Sequence, residues 1–342
     1  MTTFNEYKDN GLSGLANLGN TCFINSCMQI LSHTYELDNI LNSTTYKAKL
    51  NNVFDSIILL EWDELRKMLW SSNCIVSPSK FISCIHKLAK HKKATLFTDY
   101  SQNDVAEFLI FIIDCFHLAL TRHVTMSIKG TPDSETDELA IQCFQTISQM
   151  YSNDYSEIWN MFYGIHVSVL INTSTQDVIS KKPEPYFTID LPIPQNKKIL
   201  SLLDCMNLYI EGEIIEDVFV ETTQSKETVQ KKIQFWSFPQ ILVIVFKRFN
   251  SRNQKNQILI DFPVENLDLS KYSVGYSQTT FKYDLYGICN HSGSVFGGHY
   301  TSFIKNANGN WYHFNDTNVN RVLETDIITP KAYCLFYRKK TI

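Results

Sequence analysis

The chain contains 342 residues, of which 44% are hydrophobic and 13% aromatic; this content supports a large core and excludes disordered and fibrous proteins. The 31 Lys and Arg residues and 35 Asp and Glu residues give a net charge of −4, so we expect neither nucleic acid nor an anionic membrane as a partner. No apolar run is long enough to span a bilayer, and charged residues interrupt the N-terminus where a signal peptide would be apolar, which predicts an intracellular protein.

The nine cysteines are scattered along the chain, and no two of them form a C-x-x-C pair. This pattern favours neither a disulfide framework nor a zinc ribbon, so we expect free thiols and no bound metal or other cofactor. Most of them should be buried as small hydrophobic residues, and Cys27 is one of these. A functional cysteine must therefore be identified by its neighbours.

The periodicity of the apolar residues divides the chain into two halves. Up to about residue 160 they recur at helical spacing, most clearly in residues 105–119, which predicts a helical half. In residues 165–171 apolar and polar side chains alternate, and turn signals such as Lys182-Pro183 follow, which predicts strands.

Two later segments define the predicted sheet. The run Ile241–Phe246 is apolar on both faces, as in a strand at the middle of a sheet. The runs 299–304 and 311–314 flank an Asn308-Gly309 turn signal, which predicts a hairpin. We therefore expect an α+β fold, in which a helical part is followed by a mainly antiparallel sheet and a cleft lies between them.

Cys22 is the candidate nucleophile. It follows an irregular segment rich in Gly and Asn and precedes an amphipathic helical pattern, so its thiol should lie at a helix N-terminus. Unpaired backbone N–H groups and the helix dipole favour an anion there, and we expect them to lower the pKa of Cys22.

A thiolate nucleophile needs a base, and His299 is the better candidate of the two histidines in the segment NHSGSVFGGHYTSF, because the Gly297-Gly298 pair before it allows another backbone to approach. Asn315 and Asp316 lie at the far end of the predicted hairpin, where either side chain could orient the imidazole. Zinc binding by the same cysteine and histidine would need further ligands at metal spacing, so we favour the catalytic interpretation.

These segments resemble motifs of a known family. Residues 14–31, GLANLGNTCFINSCMQIL, are similar to the cysteine box of the ubiquitin-specific proteases, and residues 283–319, YDLYGICNHSGSVFGGHYTSFIKNANGNWYHFNDTNV, are similar to their histidine box. The resemblance covers about residues 12–338. It implies a papain-like cysteine protease with a helical thumb (about 12–160) and a β palm with extended β fingers (about 161–340), which form one catalytic domain over 12–340 after a short lead, 1–11.

The resemblance also assigns roles to individual residues. It implies Cys22 as nucleophile, His299 as base and Asn315 as third member of the triad, with Asp316 beside it. Asn17 matches the asparagine that stabilises the oxyanion in the family. The implied partner is ubiquitin, and the implied contacts with it are Gln102, Asp104, Glu107, His291, Gly297, Gly298 and Tyr300. The first three of these should lie on the exposed side of the helix in residues 105–119.

The chain departs from the family pattern in the fingers. Many members carry two C-x-x-C pairs there, whereas residues 168–189 and 218–232 contain no cysteine. We therefore expect no structural zinc and fingers held by strand pairing alone. The leading hypothesis is a deubiquitinase; the alternatives are a catalytically silent ubiquitin-binding module and a protease for another ubiquitin-like modifier.

Overall fold

The computed structural model describes residues 4–43, 45–195, 200–221, 223–276, 281–295 and 297–340. Residues 1–3 of the predicted N-terminal lead lie outside these ranges. Up to residue 162 the described chain is mainly helical, as predicted. Its helices are α1 (Cys22–Ser32), α2 (Tyr35–Asn42), α3 (Phe54–Ser71), α4 (Ser79–His91), α5 (Val105–Leu120), α6 (Glu135–Asp154) and α7 (Glu157–Phe162), with the short strands β1 (Gly14–Leu15) and β2 (Ile75–Val76) among them.

Helices α1 and α5 lie at the centre of this half. The side chain of Asp104 caps α5 by accepting hydrogen bonds from the backbone N–H groups of Ala106 and Glu107, and the apolar face predicted in residues 105–119 is buried. Every residue of α1 is buried, because this helix lies between α5 and the strands of the sheet. The first residue of α1 is therefore held on a helix that is packed on all sides.

The rest of the described chain is mainly strands, as predicted. They are β3 (Gly164–Asn172), β4 (Val178–Tyr186), β5 (Thr188–Leu191), β6 (Leu200–Ser201), β7 (Glu213–Val220), β8 (Ser225–Ser237), β9 (Ile241–Phe246), β10 (Ile260–Asp261), β11 (Leu267–Asp268), β12 (Lys282–Ser294), β13 (Gly297–Lys305), β14 (Trp311–Asn315), β15 (Asn318–Val322) and β16 (Ala332–Lys339), with one further α-helix, α8 (Leu202–Glu211), among the described residues.

The palm is a sheet with the strand order β15-β14-β13-β12-β16-β9-β5, and β11 pairs with β12 beside this path. Its pairs are antiparallel except for β5 with β9, which confirms the predicted mainly antiparallel sheet. The run Ile241–Phe246 forms β9 and is buried throughout. Its predicted position at the middle of the sheet is wrong, since β9 lies one strand from the edge.

Strand β9 is covered on both faces even though it is not central. Val243 packs into the core shared with the helices of the first half. Leu242 and Ile244, on the opposite face, pack into a second core that includes Leu202 and Cys205 of α8. The apolar run therefore reflects burial of both faces of β9 in two cores rather than a place at the middle of the sheet.

The fingers are a separate sheet with the strand order β4-β3-β8-β7. Leu139 of α6 packs on it with Val167 and Val169 of β3. The Lys182-Pro183 pair, predicted as a turn, lies within β4 instead. Proline is tolerated there because β4 is an edge strand, where a missing backbone N–H leaves no bond of the ladder unmade.

The predicted hairpin is present as β13 and β14, which pair in antiparallel fashion. In the connecting turn Gly309 has a φ of +84°, a conformation that favours glycine. Strand β13 begins at Gly297, two residues before His299, and Asn315 ends β14. The hairpin therefore brings the histidine close to the end of its partner strand.

None of the helices in the described residues is both long enough and apolar enough to span a membrane.

Candidate active site

Cys22 is the first residue of α1, which confirms its predicted place at a helix N-terminus. The turn before it is built by Asn17, whose Oδ1 accepts hydrogen bonds from the backbone N–H groups of Gly19 and Thr21. Asn20 and Gly19 take positive φ angles of 53° and 108° in this turn. The Gly-Asn-rich segment is thus required to direct the chain sharply into α1.

The environment of the thiol differs from the expectation for a helix end. Cys22 is 4% exposed, and burial raises its pKa, with the negative charge of Asp316 acting in the same direction. Hydrogen bonds from the backbone N–H groups of Tyr300, Phe23 and Cys22 itself offset these effects only in part. The prediction that the helix N-terminus lowers the pKa of Cys22 is therefore wrong for this conformation, because desolvation of the thiolate outweighs the favourable N–H groups.

The candidate base is oriented by an amide. Nε2 of His299 lies 2.7 Å from Oδ1 of Asn315, and because this oxygen can only accept, Nε2 carries the proton and Nδ1 remains available for the thiol. The nearest carboxylate oxygen of Asp316 is 4.0 Å from the same nitrogen. Asn315 is thus the direct partner of the imidazole. In the described residues no hydrogen bond joins the His299 ring to the Cys22 thiol. The thiol instead accepts a hydrogen bond from the backbone N–H of Tyr300, the residue after His299.

Asp316 binds two asparagines rather than the histidine. It adopts a φ of 50° directly after β14, and its carboxylate accepts hydrogen bonds from Nδ2 of Asn17 at 3.0 Å and from Nδ2 of Asn25 at 2.8 Å. Its backbone oxygen accepts the N–H of Leu15 at 2.9 Å. The sequence interpretation did not single out Asn25; its position three residues after Cys22, on the same side of a helix, was the available signal.

The segment before His299 is held by Gln102. Oε1 of Gln102 accepts the backbone N–H of Gly298 at 2.8 Å. A Cβ atom at Gly297 would lie 3.3 Å from this oxygen, and one at Gly298 would lie 2.3 Å from Nε2 of His291. The glycine pair is therefore needed for the close approach of two side chains as well as of neighbouring backbone. Gln102 precedes α5 and does not lie on its exposed side, contrary to the prediction.

Comparison with known proteins identifies the family. The chain matches the family model described as ubiquitin carboxyl-terminal hydrolase over residues 13–337. The chain belongs to this family. It is 32% identical over 343 residues to human ubiquitin carboxyl-terminal hydrolase 2, with 96% of the chain and 55% of the relative covered, and 32% identical over 340 residues to the Drosophila melanogaster protein Usp2, with 97% and 35% covered. The chain thus spans about half or less of the length of these relatives.

Solved structures confirm the fold. A SAGA DUB module containing Ubp8, Sgf11, Sus1 and Sgf73 and bound to monoubiquitin matches with a TM-score of 0.75 and 23% identity, over 98% of this chain and 71% of that chain. The same type of module bound to ubiquitin aldehyde matches with a TM-score of 0.75 and 24% identity, over 100% and 72%. The predicted papain-like fold of this hydrolase family, with thumb, palm and fingers, is therefore confirmed.

The remaining residues predicted to contact ubiquitin in this family member divide into exposed and buried ones. Glu107 is exposed on α5, as predicted. Asp104 is half-buried, because it caps α5 and also accepts the hydroxyl of Tyr333 at 2.7 Å. The prediction that Asp104 lies on the exposed side of the helix is wrong, because its carboxylate faces the first N–H groups of α5 and the hydroxyl of Tyr333; its contact with ubiquitin stays a prediction.

His291 and Tyr300 are also buried, at 3% and 8% exposure. Their rings pack 4.6 Å apart, and burial, followed by the positive charge of Lys255, lowers the pKa of His291 to about 4. The imidazole of His291 is therefore neutral, and its Nε2 lies close to Gly298. Both side chains are therefore enclosed in the free chain, and their contact with ubiquitin stays a prediction.

Most of the remaining thiols are buried, and Cys74 is the exposed one. Cys27 is 1% exposed and packs in the main core, which confirms its predicted structural role. Within the described residues, no group of three or more His, Cys, Asp or Glu side chains is placed to hold a metal ion. Absence of a metal from the active protein stays a prediction.

Proposed function

We propose that this protein is a deubiquitinase, a thiol-dependent hydrolase of the isopeptide or peptide bond at the C-terminal glycine of ubiquitin. The observation that carries the proposal is the arrangement of three groups: Cys22 at the start of α1, His299 hydrogen-bonded to Asn315 across the hairpin, and Asn17 in the turn before the cysteine. Membership of the ubiquitin carboxyl-terminal hydrolase family and the likeness to a ubiquitin-bound Ubp8 module support ubiquitin as the substrate.

The proposed reaction begins with the thiol of Cys22. Nδ1 of His299 takes its proton as the sulfur attacks the carbonyl carbon of the terminal glycine, and the same proton then passes to the leaving amine. The product is a thioester between Cys22 and ubiquitin. A water molecule, deprotonated by His299, attacks the thioester, and the proton returns to the sulfur as ubiquitin leaves.

The negative oxygen that forms in both steps needs hydrogen-bond donors. The backbone N–H of Cys22 at the start of α1 is one, and the amide of Asn17 is the other in this proposal. One donor of this kind contributes ~3 kcal/mol to transition-state stabilisation. Because Oδ1 of Asn17 is occupied by the turn and Nδ2 by Asp316, the amide is oriented before substrate binds.

The raised pKa of the buried Cys22 thiol determines when His299 takes the proton. In the free protein the thiol is protonated at neutral pH, so His299 must remove the proton during attack rather than stabilise a thiolate that already exists. We expect binding of the substrate tail to bring the imidazole and the thiol into contact, as catalytic hydrogen bonds often tighten only in the complex.

Ubiquitin with a C-terminal electrophile tests the proposal. It should form a covalent adduct with the wild-type chain and with Cys74→Ala, in which an exposed free thiol is removed, but not with Cys22→Ala. Probes built on other ubiquitin-like modifiers, run at the same concentration, should react at least about a hundredfold more slowly. If the probe of another modifier labelled Cys22 faster than ubiquitin did, that modifier would be the substrate instead of ubiquitin. If the chain bound ubiquitin but showed neither labelling nor turnover, the catalytically silent ubiquitin-binding module would be favoured.

A further inference from the structure

Asn25 joins the three chain segments that carry the candidate catalytic groups. It lies on α1, three residues after Cys22, and is 2% exposed. Its Nδ2 donates to Oδ1 of Asp316 at 2.8 Å and lies 3.4 and 3.3 Å from the backbone oxygens of Leu15 and Ala16. One amide nitrogen thus meets the helix, the segment leading into it and the turn after β14.

The side chain of Asn25 acts as a donor only. Its Oδ1 is buried and has no hydrogen-bond partner in the described structure, which is costly for a polar atom. Three acceptor atoms surround Nδ2, and rotation of the amide by 180° would place Oδ1 against the Asp316 carboxylate. The orientation of the amide is therefore fixed by Asp316 and two backbone oxygens, at the expense of an unsatisfied carbonyl.

Asp316 passes this constraint to Asn17. While Oδ1 of its carboxylate is bound by Asn25, Oδ2 accepts Nδ2 of Asn17 at 3.0 Å, and the bond from Leu15 N–H to the backbone oxygen of Asp316 fixes the turn itself. The two amides bind different oxygens of one carboxylate. A change at Asn25 therefore alters the position of the acceptor that holds Asn17.

We infer that Asn25 is a positioning residue for the oxyanion site: through the carboxylate of Asp316 it orients the Asn17 amide, so that the second hydrogen of that amide faces the developing charge. The inference rests on the proposed function, since it concerns the same reaction. The imidazole of His299 is bonded to Asn315, whereas the amide of Asn25 is bonded to Leu15, Ala16 and Asp316. Its effect should appear in the chemical step and not in substrate binding.

The first test is Asn25→Ala, measured on a ubiquitin substrate with a fluorogenic C-terminal amide. We expect kcat to fall about 10- to 100-fold, somewhat less than the loss of a complete oxyanion donor, while KM changes less than about twofold. Asn306→Ala is the matched control, because Asn306 is also a buried asparagine, 3% exposed, and donates from Nδ2 to the backbone oxygen of Asn10. It should lower the melting temperature comparably without the fall in kcat.

A double mutant tests the route through Asn17. Because Asn25 acts on the same donor, the kcat of Asn17→Ala with Asn25→Ala should lie within about threefold of that of Asn17→Ala alone. The inference would be overturned if the double mutant lost the product of the two single losses in kcat. It would also be overturned if Asn25→Ala kept the kcat of wild type, or if Asn306→Ala lost as much kcat as Asn25→Ala.

The variant Asn25→Asp adds a readout that loss of packing would not change. It places a second carboxyl group against Asp316, and two adjacent carboxylates repel each other unless they share a proton. Its activity relative to wild type should be lowest at pH 8 and rise several-fold towards pH 5.5, whereas the ratio for Asn25→Ala should stay constant. A ratio that stays constant with pH for both variants would contradict the inference that Asn25 orients Asn17 through the carboxylate of Asp316.

The side-chain amide of Asn17, observed by NMR with selective labelling of asparagine nitrogen, tests the relay without any substrate. Its two hydrogens should be well resolved and slow to exchange in the wild-type chain and in Asn306→Ala, but averaged or fast in Asn25→Ala. If the wild-type chain fails to cleave ubiquitin, the proposed function fails while this spectrum still decides the inference; an unchanged Asn17 amide in Asn25→Ala overturns it.

Discussion

His299 and Asn315 are joined by a hydrogen bond of 2.7 Å between Nε2 and Oδ1. A neutral amide thus orients the imidazole, while the neighbouring carboxylate of Asp316 is 4.0 Å from the same nitrogen. The two residues that compete for the third place in the triad from sequence alone therefore have separate tasks. Asn315 fixes the tautomer of the base, and Asp316 holds the amides of Asn17 and Asn25.

This division predicts the behaviour of two alanine variants. Asn315→Ala and Asp316→Ala should each lower kcat by at least about tenfold, the first because the imidazole loses its orientation and the second because Asn17 loses its acceptor. The double mutant should be much less damaged than the product of the two single losses, as is usual for groups that act as a unit. If Asn315→Ala were silent while Asp316→Ala matched His299→Ala, the two assignments would have to be exchanged.

A second prediction concerns the reactivity of the thiol. Burial raises the pKa of Cys22, and the charge of Asp316 raises it further. Asp316→Asn removes that charge, so the pKa of Cys22 should fall and the thiolate fraction at pH 7 should increase. Alkylation of Cys22 by iodoacetamide should then be faster in the variant, although its turnover is slower.

The measurement is the rate of alkylation between pH 6 and 10, followed by mass spectrometry in a Cys74→Ala background so that the exposed thiol does not contribute. The pH profile of Asp316→Asn should lie to the acidic side of the wild-type profile. A shift in the opposite direction would mean that the hydrogen bonds lost with the carboxylate outweigh its charge.

Much of the fold and the core of the site could be predicted because their signals are local. Fewer than 20 consecutive residues suffice to define each of three features: the turn before Cys22, the hairpin of His299 and Asn315, and the apolar face of residues 105–119. Side-chain period and turn chemistry determine such elements without reference to the rest of the chain.

What could not be predicted depends on groups brought together from distant segments. The burial of His291, the cap and tyrosine bonds of Asp104, and the bond from Asn25 to Asp316 all arise from tertiary packing. The pKa of Cys22 is a similar case, because a helix N-terminus is visible in the sequence and the desolvation that opposes it is not.

The third prediction concerns the fingers, where residues 168–189 and 218–232 contain no cysteine. At the fingertip, Glu227 of β8 accepts hydrogen bonds from Asn172, Thr223 and Ser225. These bonds, that from Thr223 first, hold the pKa of Glu227 below its usual range. They connect the end of β3 with the turn between β7 and β8, and so hold together the hairpins that would grip ubiquitin.

Glu227→Ala should therefore raise KM for a ubiquitin substrate several-fold and leave kcat close to that of wild type, since the fingers lie outside the reacting groups. Glu216→Ala is the control, because it removes an exposed carboxylate from the neighbouring strand β7. Equal effects of the two substitutions would assign the change to net charge rather than to the fingertip bonds.

The fourth prediction concerns metal. We expect a strong chelator to leave both activity and melting temperature unchanged, because the sequence lacks C-x-x-C pairs. A structural zinc site in a small metal-dependent fold contributes roughly 10–16 kcal/mol of apparent binding energy, so its loss would be obvious. One equivalent of zinc in elemental analysis of the purified protein would contradict this expectation.

The last prediction concerns stability and a buried pair of carboxylates. Asp38 and Asp63 are both fully buried around the guanidinium of Arg66. Asp63 has the better bonds, at 2.8 Å to Arg66 and 2.7 Å to Lys67, whereas Asp38 lies 3.3 Å from Arg66. Burial raises the pKa of Asp38 to about 8. Burial acts on Asp63 in the same direction, but the hydrogen bonds that Asp63 accepts from Lys67, Tyr46 and Arg66 outweigh it and lower the pKa of Asp63.

The sign of the pH dependence follows from the protons bound. An unfolded Asp38 loses its proton near its ordinary pKa of ~3.9, but the folded protein keeps this proton up to about pH 8. Between these values the folded state binds more protons, so this residue's contribution to stability is complete below pH ~4 and is lost as the pH rises through 8.

Asp38→Asn removes that loss, and its melting temperature should exceed that of wild type by several degrees at pH 8.5 and by less at pH 6. Asp63→Asn should instead lower the melting temperature at both pH values, because it leaves Arg66 without its closest carboxylate. A difference between Asp38→Asn and wild type that does not grow with pH, followed by calorimetry from pH 5 to 9, would show that Asp38 is ionised in the folded protein across this range.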